Sequence, residues 1–224
     1  MKRAGILATA LMVSLAVTAG CNKARNTASS NTPGSAVGTA GRNANGVSNS
    51  DVDFIRDIAV MNTADLELGR LASERATGSD VKQFAQMMVT DHSGAGDKLQ
   101  AFASQHAIDA PAQLDDKHRN LREKLAGKQG MDFDRDYADA MVDEHEKFVN
   151  KLESRIDKDT LTRAKQENKN APDTNIKATA VMPEKSDDPN TQAVNQWAAD
   201  LYPTAYAHLQ AAKSLRDGVK KRAT

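Results

Sequence analysis

The chain has 224 residues, with 30 basic and 30 acidic side chains, 39% hydrophobic residues and only 4% aromatic ones. Balanced charge offers no electrostatic footprint for nucleic acid, and a single cysteine excludes an internal disulfide framework. The sequence carries no phosphate-binding glycine loop, dinucleotide fingerprint or Gly-x-Ser-x-Gly elbow, so it predicts no nucleotide cofactor and leans away from an enzyme.

Residues 1–20, MKRAGILATALMVSLAVTAG, open with Lys2 and Arg3 and continue as an apolar stretch too short to span a bilayer comfortably. This pattern predicts a signal peptide. Thr18-Ala19-Gly20-Cys21 then resembles the lipobox of bacterial lipoproteins, with Thr18 where Leu or Val is usual. The resemblance implies lipidation at Cys21 and attachment to a membrane through that lipid. Asn22 after it is compatible with an outer membrane lipoprotein facing the periplasm. Cleavage after Ala19 would instead leave a soluble periplasmic protein; both routes lead to the cell envelope. Loss of Lys2 and Arg3 with the signal leaves a net charge of −2. Residues 21–50 are mostly Asn, Ser, Thr, Gly and Ala without an aromatic side chain, and predict a flexible tether reaching about 30 Å.

From residue 51 the pattern is helical. Ser50 is placed to cap a first helix that carries Phe54, Ile58, Met61, Leu68, Leu71 and Ala72 on one face and stops at Gly78. Ser79 is placed to cap a second helix with Val81, Phe84, Met88, Leu99 and Phe102 aligned, so the two form an antiparallel hairpin. A short amphipathic piece follows (Leu114, His118, Leu121, Leu125), and then a third long helix from about Asp132, with Tyr137, Met141, Phe148, Leu152 and Ile156 aligned. The polar stretch 165–190, with Pro172 and Pro183, reads as a loop insertion in which Ile176, Ala178, Ala180 and Met182 alternate weakly. Asp188-Pro189 predicts the start of a last helix, which Pro203 should kink or break. The expectation is an all-α fold: a four-helix bundle over residues 51–220, with a short extra helix between the second and third long ones.

Advancing 100° per residue shows which polar side chains fall on the apolar stripes. They are Asp65 on the first helix, His92 on the second, His145 on the third and His208 on the last. Asp65 and His92 lie 13 and 14 residues from Gly78, so both sit about 20 Å from the connection. His145 is again near mid-helix, and each long helix thus directs one candidate metal ligand inward. Three imidazoles and a carboxylate suit one transition-metal ion such as Zn, Cu, Fe or Ni. Glu144 and Asp91, each beside a histidine, are candidates to support the ligands, Glu144 the better of the two. His106 and His118 fall outside the cluster. A buried Asp–His network that only fixes helix register remains the other reading of the same residues.

The run Ala64-Asp65-Leu66-Glu67-Leu68-Gly69-Arg70, with Phe84-Ala85-Gln86-Met87-Met88-Val89-Thr90-Asp91-His92, resembles a bacterial family of unknown function. It is the domain-of-unknown-function family 4142, often labelled predicted outer membrane proteins and placed with ferritin-like folds. Phe133-Asp134-Arg135-Asp136-Tyr137, Met141-Val142 with His145, and Leu201-Tyr202-Pro203 with His208-Leu209 extend the resemblance over about 55–215. It implies a ferritin-like four-helix bundle and an envelope location, and no activity. The family typically has Glu at the position of Asp65. Di-iron ferritin-like sites use Glu-x-x-His on two helices; here Val89 and Val142 stand three residues before His92 and His145, which argues against a di-iron centre. Two functions follow: an exported protein binding a metal ion through His92, His145, His208 and Asp65, or a non-catalytic structural or stress-related helical lipoprotein whose cluster only fixes packing.

Overall fold

Six helices lie among the residues described by the computed structural model, which are 41–43, 45–169 and 180–222. They are α1 (Asn49–Arg75), α2 (Ser79–Gln105), α3 (Asp116–Ala126), α4 (Gly130–Glu153), α5 (Lys158–Lys169) and α6 (Pro189–Arg222). The expected signal peptide, Cys21 and most of the tether lie outside the described residues. The described end of the tether is held against the bundle: Val47 is buried, Asn43 donates to the Ala107 carbonyl, and Arg42 pairs with Asp188.

Local chemistry sets the helix ends. Ser48, rather than Ser50, caps α1 by accepting from the Asp51 amide. Asp115 caps α3 through the His118 amide. Asp188 caps α6 by accepting from the amides of Asn190 and Thr191, with Pro189 at the first helical position.

Four contacts fix the direction of every long helix. Residues 76–78 join α1 to α2 so tightly that the two run antiparallel. Asp134, at the start of α4, accepts from Thr77 and Gly78 in that connection, so α4 begins at the same end as α2. At the other end of α4, Arg155 donates to Asp51 and to the Ser50 carbonyl at the start of α1. Arg222, closing α6, pairs with Asp80 at the start of α2. The chain therefore runs up, down, down and up. α3 lies in the crossover between the two descending helices, where Arg75 donates to the Ala126 carbonyl. The broad interfaces are α1–α2 and α4–α6, α1–α4 is narrower, and α2–α6 is the thinnest seam of the ring.

The core is made of the predicted stripes: Phe54, Ile58 and Leu68 on α1, Met88 on α2, Tyr137, Met141 and Leu152 on α4, and Ala205 and Leu209 on α6 are all buried. Gly69 lets α1 and α2 approach closely, since a Cβ there would stand 3.1 Å from the Ala85 carbonyl and from the Met88 Cβ. An all-α helical bundle is thus what the sequence encodes.

Two elements differ from expectation. The third long helix stops at Glu153, and the chain restarts as α5, with Asp157 accepting from the Thr160 amide and Ile156 bridged to Pro183. The loop expected over 165–190 is therefore helical as far as Lys169. Ile176 and Ala178, in the proposed alternation, lie outside the described residues. α6 also continues through Pro203 without a break. Proline removes one backbone hydrogen bond there, and packing of Tyr202, Ala205 and Leu209 into the core on either side holds the helix together.

Candidate metal centre

The four stripe residues meet at mid-height. The rings of His92, His145 and His208 stand 5.4–5.7 Å apart between centroids, and one ring nitrogen from each lies within 4.8 Å of the others. Asp65 lies against two of the three rings: its Oδ2 is 3.8 Å from His92 Nε2 and 3.9 Å from His145 Nε2. All four residues are buried.

Hydrogen bonds outside the cluster orient two of the rings. His145 Nδ1–H donates to the Met141 carbonyl one turn earlier, at 2.9 Å, which leaves Nε2 as the lone-pair nitrogen. His92 Nδ1–H donates to Asn62 Oδ1 at 3.0 Å, while Asn62 Nδ2 donates to the His92 carbonyl, so His92 Nε2 is again the lone pair. His208 is held by Asp91, whose Oδ2 accepts from Nε2 at 2.9 Å.

The inward atoms have no partners. His92 Nε2, His145 Nε2 and both oxygens of Asp65 are buried without a hydrogen bond, although such atoms in folded proteins are nearly always satisfied. Tyr137 Oη, on the same helix as His145, is a fifth. The charges respond to this seclusion. Burial, aided by the nearby charge of Glu144, pushes the Asp65 carboxyl up to about 8. Burial lowers His145 to about 4 and lowers His92 well below its ordinary value, with His145 and His208 adding to the effect. His208 is lowered as well, by burial first and by His145, against the pull of Asp91. The histidines are therefore neutral at pH 7, the form in which imidazole binds a cation.

These donors fit a metal ion. Ligands at about 2.0–2.1 Å from a tetrahedral ion stand roughly 3.4 Å apart, so closing the three histidines on an ion requires their nitrogens to move inward by up to about 0.7 Å. A cavity of about 40 Å³ beside His92 and His208 leaves room for such rotation.

The two acids next to the histidines take different places. Asp91 touches the cluster through His208, whereas Glu144 turns away to α3. There Glu144 Oε2 accepts from His118 Nε2 at 3.0 Å and from Lys117 at 3.2 Å, and Oε1 accepts from Lys147 at 2.8 Å. His118, which sequence reasoning set aside, is buried with both ring nitrogens facing carboxylates, the second being that of Asp115. Asn62 was missed as well. Its position three residues before Asp65, on the same helical face, was the available signal.

The Glu144–His118 contact gives the fold a pH dependence. Burial alone would raise the Glu144 carboxyl, but hydrogen bonds from His118 and Lys147 outweigh it and hold the group at about 2 against an ordinary 4.5. Its stabilising contribution is therefore present above pH 4.5 and lost as pH falls through about 2. His118, raised above 6.5 chiefly by Glu144, contributes fully below 6.5 and loses that contribution as pH rises through its raised value. Glu144→Gln is expected to cost about 2 kcal/mol at pH 6, less than a fully enclosed pair because Lys117 and Lys147 are half exposed. Urea unfolding at pH 6 and pH 2.5 measures this, and the cost should shrink at the lower pH.

The family model for a domain of unknown function, DUF4142, matches residues 36–180. The match contains Asp65, His92 and His145 and ends before α6, so His208 and the Leu201-Tyr202-Pro203 run lie beyond it. No curated protein and no solved structure matches the chain. With more than half of its length matched, the chain belongs to the DUF4142 family.

Proposed function

We propose that the protein binds one transition-metal ion in the bundle core through Asp65, His92, His145 and His208, and that it acts as a metal-handling protein of the cell envelope. One observation carries this reading: two imidazole lone pairs face the Asp65 carboxyl in the core, with Oδ2 at 3.8 and 3.9 Å, too far for hydrogen bonds, and neither carboxyl oxygen has another partner. A network serving only to fix helix packing would be expected to bond its members to one another. Instead Asn62 and the Met141 carbonyl orient the rings so that lone pairs, not protons, point at Asp65. Held there, the ion supplies Lewis acidity or, if it is copper or iron, single-electron chemistry. The envelope location comes from the expected export signal and from Cys21, the lipid attachment point read from the sequence.

Elemental analysis of protein purified from its own envelope tests the reading. About one ion per chain is expected, and the His92→Ala/His145→Ala variant should hold none; equal metal content in the two rejects the site. Asn62→Leu leaves every ligand in place but frees the His92 ring. It should weaken binding roughly 10–100-fold in a competition titration, and unchanged affinity would remove Asn62 from the site.

A further inference from the structure

His92 stands between two spaces, one of mixed polarity and one almost wholly apolar. On the side of α1 and residues 111–112, a cleft of about 230 Å³ is lined by Glu67, Arg70, Asp97 and Gln100, with Asn62 and His92 at its floor. On the side of α6 lies the cavity of about 40 Å³, walled by Ile58, Leu99, Phe148, Leu201 and Ala205 and touching His92, His208 and Asp91. It opens along the α2–α6 seam, the thinnest in the bundle.

The volume and the walls define what fits. A buried water needs about 10–15 Å³ of such space and two to four polar partners. The space suffices for about three waters, but its walls are almost wholly apolar, and neither ring has a donor to spare: Asn62 takes the Nδ1 proton of His92 and Asp91 takes the Nε2 proton of His208. A charged ligand would lose its hydration against aliphatic and aromatic walls. We propose that this cavity is a binding site for one uncharged molecule of two or three non-hydrogen atoms, of the dissolved-gas class, held against the imidazoles of His92 and His208. The proposal rests on the metal reading only for what such a molecule does beside an ion, and its binding stands independently.

Xenon is the probe, because it is neutral, polarisable and close in size to such molecules. In methyl NMR spectra of the purified protein under increasing xenon pressure, Ile58, Leu99 and Leu201 should shift saturably. Leu125 and Leu152, which do not line the cavity, should stay still. Ala205→Leu and Ala95→Leu fill the cavity from α6 and α2 respectively, and each should abolish the shifts. Ala95 is only half-buried, so its variant keeps the fold even where Ala205→Leu overpacks it. Absent shifts in the unmodified protein, or shifts that persist in Ala95→Leu, overturn the proposal. Metal content is measured on the same samples. Xenon binding without metal removes the metal reading and leaves the cavity site standing, whereas metal without xenon binding does the reverse.

Discussion

Asp65→Leu is expected to make the metal-free protein more stable while abolishing ion binding. Leucine has the same branched arrangement of heavy atoms as aspartate and places apolar carbons where two buried oxygens now lack partners. Removing such unpaired polar atoms should stabilise the chain by about 1–3 kcal/mol. The gain also depends on pH. The Asp65 carboxyl, at about 8 in the folded protein against 3.8 ordinarily, contributes most favourably below 3.8, and that contribution is lost as pH rises through 8. The advantage of leucine should accordingly grow between about pH 4 and 8 and level off above. Denaturant unfolding of metal-free protein at pH 5, 7 and 8.5 measures it. Destabilisation at all three would mean that Asp65 holds the helices together, and the metal reading would lose its main support.

Asp134→Ala should cost about 3 kcal/mol, the largest loss expected from a single side chain distant from the cluster. The carboxylate is buried and accepts from Thr77 N at 3.0 Å, Thr77 Oγ1 at 2.7 Å and Gly78 N at 2.7 Å. Hydrogen bonds to a charged acceptor contribute about 1.5–3 kcal/mol each and do not add fully. Here they tie the start of α4 to the α1–α2 connection, so one substitution releases an amide pair and a hydroxyl together. Gly78 is part of the same arrangement, because a Cβ there would stand 3.1 Å from Asp134 Oδ2 and 2.8 Å from Asp80 Oδ1. A loss under about 1 kcal/mol in urea unfolding would show that water replaces the carboxylate at the connection.

The positions of Asp65, His92, His145 and His208 were legible because two one-dimensional measures fix a point on a helix. The stripe gives its side and the count from a connection gives its height. The roles of Glu144 and Asp91 were not legible, since both sit at stripe edges, where the neighbouring helix decides. α6 brings His208 to Asp91, and α3 brings His118 and Lys117 to Glu144. Asn62 escaped notice because asparagine on a stripe looks like tolerated polarity until the ring it orients is known. α5 was hidden by its composition: Leu161 and Ala164 are its only core-facing apolar residues, too few to set a period. Pro203 argued for a break that burial on both sides prevents. The direction of the helices needed tertiary contacts, above all those of Asp134 and Arg222.

The up-down-down-up path places α2 and α4, the two parallel consecutive long helices, on a diagonal rather than side by side. Every adjacent pair, α1–α2, α2–α6, α6–α4 and α4–α1, is then antiparallel. Backbone dipoles of neighbouring helices point in opposite senses, and the partial charge at each helix end is faced by its opposite next door. Asp80 at an amino end beside Arg222 at a carboxyl end repeats that pairing with full charges. At mid-height, several turns from any end, these fields oppose one another and fade. The electrical character of the cluster is therefore set by what lies within reach of it: the seclusion of Asp65 and the charge on Glu144.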